Sequence, residues 1–391
     1  MTTRREPPTT ASASARFSDE EGATASSEHW AGVRKGSRWR TWYAAAVVLT
    51  LAVGSVAAVV NPALRQRHEA TLADGGWADA YQAAFDAASP LLGPSRTVWG
   101  VIDTVLFGQG RPGVLVGADG WLYSREEYAT VPEADTAIER WSERIALVRD
   151  ELATHGATLV VAIVPSKASM VEAYAPAPLP SAAATRYDTL GGALSSRGVI
   201  VSDLRPALMA ANGAGAAFLR TDTHWTPEGA AAAARSIADT VRTHAPYEAL
   251  GETAFETTLG EPEPRWGDLT AFLDLGPLLD RLGPAPDVLA VPRTVSLAAP
   301  STDLFAAVEI PVTLVGTSYS ADPAWNTLGA LREALGSDVV DAALTGLGPW
   351  EPMHRYLQGE ALRSSPPEVV IWEIPERYVT LEGHVPEAAA W

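Results

Sequence analysis

The stretch Ile310-Pro311-Val312-Thr313-Leu314-Val315-Gly316-Thr317-Ser318-Tyr319-Ser320 decides the fold. Ile310 to Val315 is mostly apolar and lacks the polar alternation of a half-exposed strand, as expected of a strand buried on both faces of a parallel sheet. Gly316 to Ser320 then reads as a turn, and Trp325 to Leu335 as a helix. The same pattern recurs outward along the chain. Glu133 to Thr154 has helical spacing (Ile138, Trp141, Ile145, Val148, Leu152), and Ala157 to Val164 is a buried strand closed by Pro165. A helical stretch near 180–195 leads to a shorter strand at Val199 to Ser202, and Asp338–Ala342 and Val369–Ile374 are two more. Strands alternating with helices predict an α/β fold, a mostly parallel sheet flanked by helices. Gly113 to Tyr123 adds strand, Asp-Gly turn and strand.

The N-terminus reads differently. Residues 1–40 are rich in Ser, Thr and Ala and form an expected disordered cytoplasmic tail. Residues 41–62 carry no charge, about the length of a membrane-crossing helix. Arg34, Lys35, Arg38 and Arg40 lead into the run and Trp39 and Trp42 mark its edge, which places the N-terminus on the cytoplasmic side. The expectation is one transmembrane signal-anchor helix, favoured over a cleaved signal peptide, with everything after it outside the cytoplasm. Residues 63–111 read as a membrane-proximal helical linker and 112–391 as the catalytic domain.

Composition narrows the chemistry. Cysteine is absent, so no disulfide, thiolate nucleophile or Cys-based metal site exists. The seven His show no metal-ligand spacing, and no metal is expected. The net charge is −18, with the tail to residue 40 slightly positive and the rest of the chain at about −20. That excludes nucleic acid as a partner and disfavours a polyanion unless a local basic groove offsets the repulsion.

Two segments carry reactive side chains: Arg220-Thr221-Asp222-Thr223-His224-Trp225-Thr226-Pro227 and Gly316-Thr317-Ser318. Asp222 and His224 are two apart, so in an extended loop both point to one side. Thr226, Pro227 and Glu228 are the cap, first residue and first-turn acid of a helix running to about Thr243, which fixes His224 just outside its N-terminus. Ser318 sits where a buried strand breaks into a turn, at the sheet edge where ligands bind. An acid, an imidazole and a hydroxyl so placed are the parts of an activated-serine site. A capping Asp, a solvated His and an ordinary turn serine are the plain alternative, and Ser320 is a second candidate nucleophile. Tyr319, Trp225 and Lys167 are candidate oxyanion or substrate contacts, while Glu373, Glu376 and Arg377 read as a structural ion-pair or hydrogen-bond cluster. Residues 245–308, interrupted by Pro and Gly, are read as an excursion over the site.

Five motifs in order carry a resemblance: G-A-D-G-W-L-Y at 117–123, V-P-S-K-A at 164–168, D-T-H-W-T-P at 222–227, G-T-S-Y-S at 316–320 and V-V-I-W-E-I-P-E-R-Y at 369–378. Together they resemble the SGNH-hydrolase-like domain of alginate O-acetyltransferases, the AlgJ/AlgX family. The resemblance implies a triad of Asp222, His224 and Ser318 and no cofactor. It also implies a polysaccharide acceptor and a membrane-bound O-acyltransferase that supplies acetyl across the membrane. The expected activity is acetyl transfer to a cell-surface or secreted glycan. A carbohydrate esterase using the same triad, or a non-catalytic glycan-binding scaffold, are the alternatives. With the chain ending at Trp391, grip on a polymer is expected from this domain or from a partner.

Overall fold

The computed structural model describes residues 37–60, 76–214, 217–245, 250–251, 253–298, 310–381 and 384. Most of the expected tail and residues 61–75 of the expected anchor and linker lie outside them. Two compact units divide the chain, Met1–Ser95 and Arg96–Trp391.

The first unit contains α1 (Ser37–Val60) and α2 (Gly76–Ala88). Among the described residues, no helix is long and apolar enough to cross a membrane. A third helix, α3 (Leu92–Val101), follows in sequence.

The second unit is built on a five-stranded parallel sheet. Its strands are β3 (Thr158–Val164), β4 (Ile200–Asp203), β7 (Val312–Val315), β8 (Val339–Asp341) and β9 (Val369–Pro375), in the order β4-β3-β9-β7-β8. Because successive side chains of a strand point to opposite faces, each central strand feeds two cores. Leu159, Val161, Ile163, Val370, Trp372 and Ile374 pack against α4 (Ala134–Thr154), α5 (Arg186–Ser196) and α10 (Trp350–Gln358). Val160, Ala162, Val164, Val312, Leu314 and Ile371 pack against α6 (Arg205–Ala214), α7 (Pro227–His244) and α9 (Thr327–Leu335), the last preceded by the one-turn α8 (Ser318–Ala321). The fold is thus α/β with a parallel sheet flanked by helices on both faces. In α7 the inward face is mostly alanine (Ala230, Ala233, Ala234, Ala238, with Ile237 and Val241 toward its end), so the first turns of the helix backbone can approach closely.

Two hairpins stand apart from the sheet. β1 (Val114–Val116) and β2 (Leu122–Ser124) pair antiparallel across a turn in which Asp119 and Gly120 take positive φ. The other was not anticipated as strand. β5 (Phe255–Arg265) and β6 (Asp287–Ser296) form a long antiparallel ribbon inside the 245–308 excursion. Gly260, Pro262, Pro264 and Pro292 argue against strand in the sequence, since Pro cannot donate to a ladder and Gly weakens one. In a two-stranded ribbon each strand keeps one unpaired edge, where a missing Pro N–H costs no ladder bond, and a register shift between Leu259 and Pro262 absorbs the irregularity.

Candidate active site

The D-T-H-W-T-P segment is positioned from its C-terminal side by α7. The Thr226 hydroxyl accepts from the Gly229 N–H, and Pro227 opens the helix. Trp225 is fully buried and donates its indole N–H to the Tyr319 carbonyl at 3.0 Å, which ties the segment to the turn after β7. That turn is held in turn by Glu373 of β9. Its carboxylate accepts from the Thr317 N–H (2.7 Å), the Thr317 hydroxyl (3.0 Å) and the Ser320 hydroxyl (3.1 Å). Burial pushes the Glu373 carboxyl up against the pull of these donors.

These constraints bring together three residues that span nearly a hundred positions of chain. His224 Nε2 lies 2.7 Å from Ser318 Oγ, and His224 Nδ1 lies 2.6 Å from Asp222 Oδ1. Asp222 Oδ1 also accepts the His224 backbone N–H at 3.0 Å, so one oxygen fixes both ring and main chain. Burial would raise the Asp222 carboxyl, but hydrogen bonds from the His224 ring, its positive charge and two backbone N–H groups outweigh it. The carboxyl is taken down to about 2. The Trp325 ring stacks on the imidazole at 5.2 Å and 22°, and its N–H reaches the Ser318 carbonyl at 3.2 Å.

The β5–β6 ribbon clamps the segment at both feet. After β5, Gly267 N–H donates to the Thr221 hydroxyl (2.8 Å) and Asp268 N–H to Asp222 Oδ2 (3.1 Å). Asp268 accepts from Thr223 N–H at 2.8 Å and from the Thr223 hydroxyl. At the start of β6, Asp287 accepts from Arg220 N–H (2.8 Å), Thr221 N–H (2.9 Å) and the Thr221 hydroxyl (2.6 Å). A Cβ on Gly267 would stand 2.4 Å from the Thr221 carbonyl and 2.5 Å from the Asp222 Cα. Gly267→Ala is therefore expected to displace Asp222 and lower turnover about 10²-fold. Comparing kcat with the cooperativity of unfolding checks it: a native-like unfolding curve with unchanged kcat would refute the clamp.

Asp268 rises above an ordinary aspartate, from burial of its inner side and then repulsion by Asp222. Donor atoms of Asp222, His224 and Asp268 lie within 4.8 Å of one another. His224 Nδ1 is bonded directly to Asp222, and the hydrogen-bonded line continues through Nε2 to Ser318. Arg265, at the end of β5, places its guanidinium 5.0 Å from the Trp325 ring centroid and pairs loosely with Asp322 at 3.5 Å. A cation thus sits one ring away from His224.

The other expected contacts face inward. Lys167 is fully buried, its Nζ donating to the carbonyls of Leu122 (2.6 Å), Asp222 (2.9 Å) and Arg220 (3.0 Å). Burial draws its pKa down to about 8, against Glu127, Asp287, Asp222 and Asp268. Lys167 therefore supports the Asp222 loop from below instead of lining the cleft. Trp225 lies beneath its loop, out of reach of a sugar. Tyr319 is buried as well, its hydroxyl donating to the Thr223 carbonyl (2.7 Å) and accepting from Arg377 (2.9 Å). The Ser320 hydroxyl is spent on Glu373, 3.1 Å away. Arg377 also reaches Glu126, and Glu376 accepts the Ser166 N–H at 2.5 Å, so these late residues form a buried polar support. Asp268, Asp287, Arg265 and Trp325 gave no signal in the sequence, because single residues remote from the motif carry no periodicity or spacing.

The family described as the SGNH hydrolase-like domain of the acetyltransferase AlgX matches residues 114–376. A probable alginate O-acetylase AlgJ from Pseudomonas putida is 41% identical, over 81% of this chain and 83% of that protein. One from Azotobacter vinelandii is 42% identical over 79% and 80%. The solved O-acetyltransferase domain of Pseudomonas putida AlgJ superposes with a TM-score of 0.64 at 41% identity, covering 69% of this chain and 94% of that one. Pseudomonas aeruginosa AlgX, at 23% identity and a TM-score of 0.54, shares the fold over 70% of this chain and 63% of its own. The chain belongs to this family of SGNH hydrolase-like acetyltransferases and is an O-acyltransferase of the SGNH-hydrolase type.

Proposed function

We propose that the chain is a membrane-anchored, extracytoplasmic enzyme that moves acetyl groups through Ser318 onto hydroxyls of alginate or a closely related acidic exopolysaccharide. The observation that carries the chemistry is the continuous hydrogen-bonded line from Asp222 through His224 to Ser318, 2.6 and 2.7 Å long. His224 Nε2 takes the Ser318 proton as Oγ attacks the acetyl carbonyl, and Asp222 stabilises the imidazolium that forms. The proton then passes to the leaving group, leaving acetyl-serine. A sugar hydroxyl attacks this ester while His224 takes its proton, and Ser318 recovers its own as the acetyl sugar departs.

The acceptor class rests on the relatives named alginate O-acetylase. The anchor rests on the uncharged run 41–62 and on α1, where Trp42, Tyr43, Val48, Leu49 and Val56 are all more than half exposed. Such side chains suit a lipid environment, with Arg34, Lys35, Arg38 and Arg40 holding the N-terminus in the cytoplasm. The domain at 112–391 then works outside. Because activated acetyl donors are made inside, a membrane-bound O-acyltransferase is the fitting supplier, and tethering both in one bilayer raises their effective concentration.

The test has two arms. A serine-directed sulfonyl fluoride is expected to modify Ser318 alone, seen by peptide mass spectrometry and absent from Ser318→Ala. With an activated acetyl ester and oligouronates, acetylated sugar is expected. Release of acetate only, with no acetylated sugar, would make the chain an esterase.

A further inference from the structure

We infer that the apolar surface of residues 98–107 lies in the membrane interface and holds the catalytic domain against the bilayer; this rests on the proposed membrane anchor. Trp99, Leu106 and Phe107 are each more than 60% exposed, and Val98 and Val105 more than half. They follow one another along the end of α3 and the π-helical turn Ile102–Leu106. Five large apolar side chains turned outward within ten residues form the kind of patch that marks a protein or membrane contact.

The surface is built into the domain. Gly100 lies so near the chain behind it that a Cβ there would stand 2.5 Å from the Leu273 carbonyl oxygen and 2.7 Å from that of Asp274. Val101 packs against the cluster of Val114, Leu122, Leu269, Leu273 and Leu275. Gln109 N–H donates to the Asp103 carbonyl (2.9 Å), Arg111 N–H donates to the Phe272 carbonyl (2.8 Å), and the Arg111 guanidinium pairs with Asp274 at 2.9 Å. With one side fastened in this way, the apolar groups on the other cannot turn inward. The Asp268–Leu273 turn that holds the patch also carries the Asp268 N–H bonded to Asp222 Oδ2. Whatever fixes the patch therefore also fixes the catalytic segment.

Lipid suits this surface better than a protein partner. Across residues 97–110 the one charged side chain is Asp103, and the Thr104 hydroxyl is turned back onto the Gln109 carbonyl (3.4 Å). A specific protein interface carries about one hydrogen bond per 100–200 Å², and this stretch has few groups left to make them. A bilayer interface asks for none. Trp is enriched at that depth, and an interfacial helix buries its apolar side at the boundary of headgroups and acyl chains. The chain itself supplies the proximity, because thirty-five residues, 63–97, separate the patch from the uncharged run 41–62. An anchored run keeps the patch at high effective concentration near lipid. Five side chains then suffice without the attraction to anionic headgroups that so acidic a chain lacks.

The chain has no cysteine, so single labels test this in the full protein. Leu106→Cys, Val48→Cys in α1 and Leu147→Cys on α4 each receive a nitroxide and are reconstituted in phosphatidylcholine vesicles. Electron paramagnetic resonance then reads collisions with oxygen, which enters lipid, and with a neutral nickel chelate, which stays in water. The oxygen-to-nickel ratio at position 106 is expected to be roughly tenfold above that at position 147, as for a side chain at the headgroup–acyl boundary. Adding Trp99→Glu should lower it to the level of position 147, and since Trp99 is exposed the fold is kept. Equal ratios at 106 and 147, with position 48 in lipid, would overturn the patch and leave the anchor standing. Position 48 in water would sink the anchor, and with it the tether on which the patch depends. A label at 106 shielded from both reagents would mean that protein covers it, which overturns the lipid assignment.

Discussion

Ser318→Ala is expected to lower acetyl transfer by roughly 10⁶-fold, the scale on which removal of a triad nucleophile acts. The oxygen that attacks the acetyl carbon is gone, and no neighbour can replace it. Ser320, the nearest other serine, is buried with Glu373 as its acceptor, Thr317 is held by the same carboxylate, and the Tyr319 hydroxyl is bonded to the Thr223 carbonyl. A residual rate arises only from water or sugar attacking the donor directly in the cleft. The measurement is transfer of labelled acetyl to an oligouronate, alongside sulfonyl fluoride labelling of the parent enzyme. A variant within tenfold of the parent would mean that acetyl never resides on residue 318. Because Ser318 is partly exposed at the start of the short helix Ser318–Ala321, losing its Oγ opens no core cavity. Loss of activity should therefore come with unchanged thermal stability.

The parts of the molecule legible in the sequence are those where one local rule acts alone. β7 and β9 are fully buried strands and show as mostly apolar runs, broken only by Thr313 and Glu373. α7 announces its start through Thr226, Pro227 and Glu228, a side-chain cap, a preset φ and a dipole-matched acid. His224 and Ser318 were found because each lies beside such a marker. What stayed hidden depends on which way a side chain turns in a tertiary environment. Lys167, Trp225 and Tyr319 sit in the expected neighbourhood, but each turns inward to satisfy backbone carbonyls behind the cleft. The β5–β6 ribbon was masked by its own Pro and Gly. With it were hidden the two feet, Gly267-Asp268 and Asp287, that set the height of Asp222. A sequence shows the chemistry of a catalytic acid more readily than the distant residues that aim it.

Asp222→Asn should be the next most damaging change, at about 10⁴-fold in kcat, the magnitude known for the equivalent change in a serine-protease triad. The carboxamide keeps the shape, but with its NH2 group in the Oδ1 position it no longer accepts the His224 backbone N–H. It also offers N–H groups toward Nδ1, which favours the tautomer with its proton on Nε2, the atom that must receive the Ser318 proton. The imidazolium formed during attack loses its counter-charge as well. Because the parent carboxyl is held at about 2, Asp222 stays ionised across the working range, so the acid limb of its pH–rate profile does not come from this residue. The same depression makes a stability prediction. A carboxyl with a lowered folded-state pKa contributes fully above its unfolded value near 3.9, and that contribution disappears as the pH falls through about 2. Between about pH 4 and pH 2 the parent should therefore lose stability more steeply than Asp222→Asn, read from urea midpoints at each pH. Parallel curves for the two proteins, or a kcat reduced less than tenfold, would show that Asp222 neither carries its charge in the fold nor steers the imidazole.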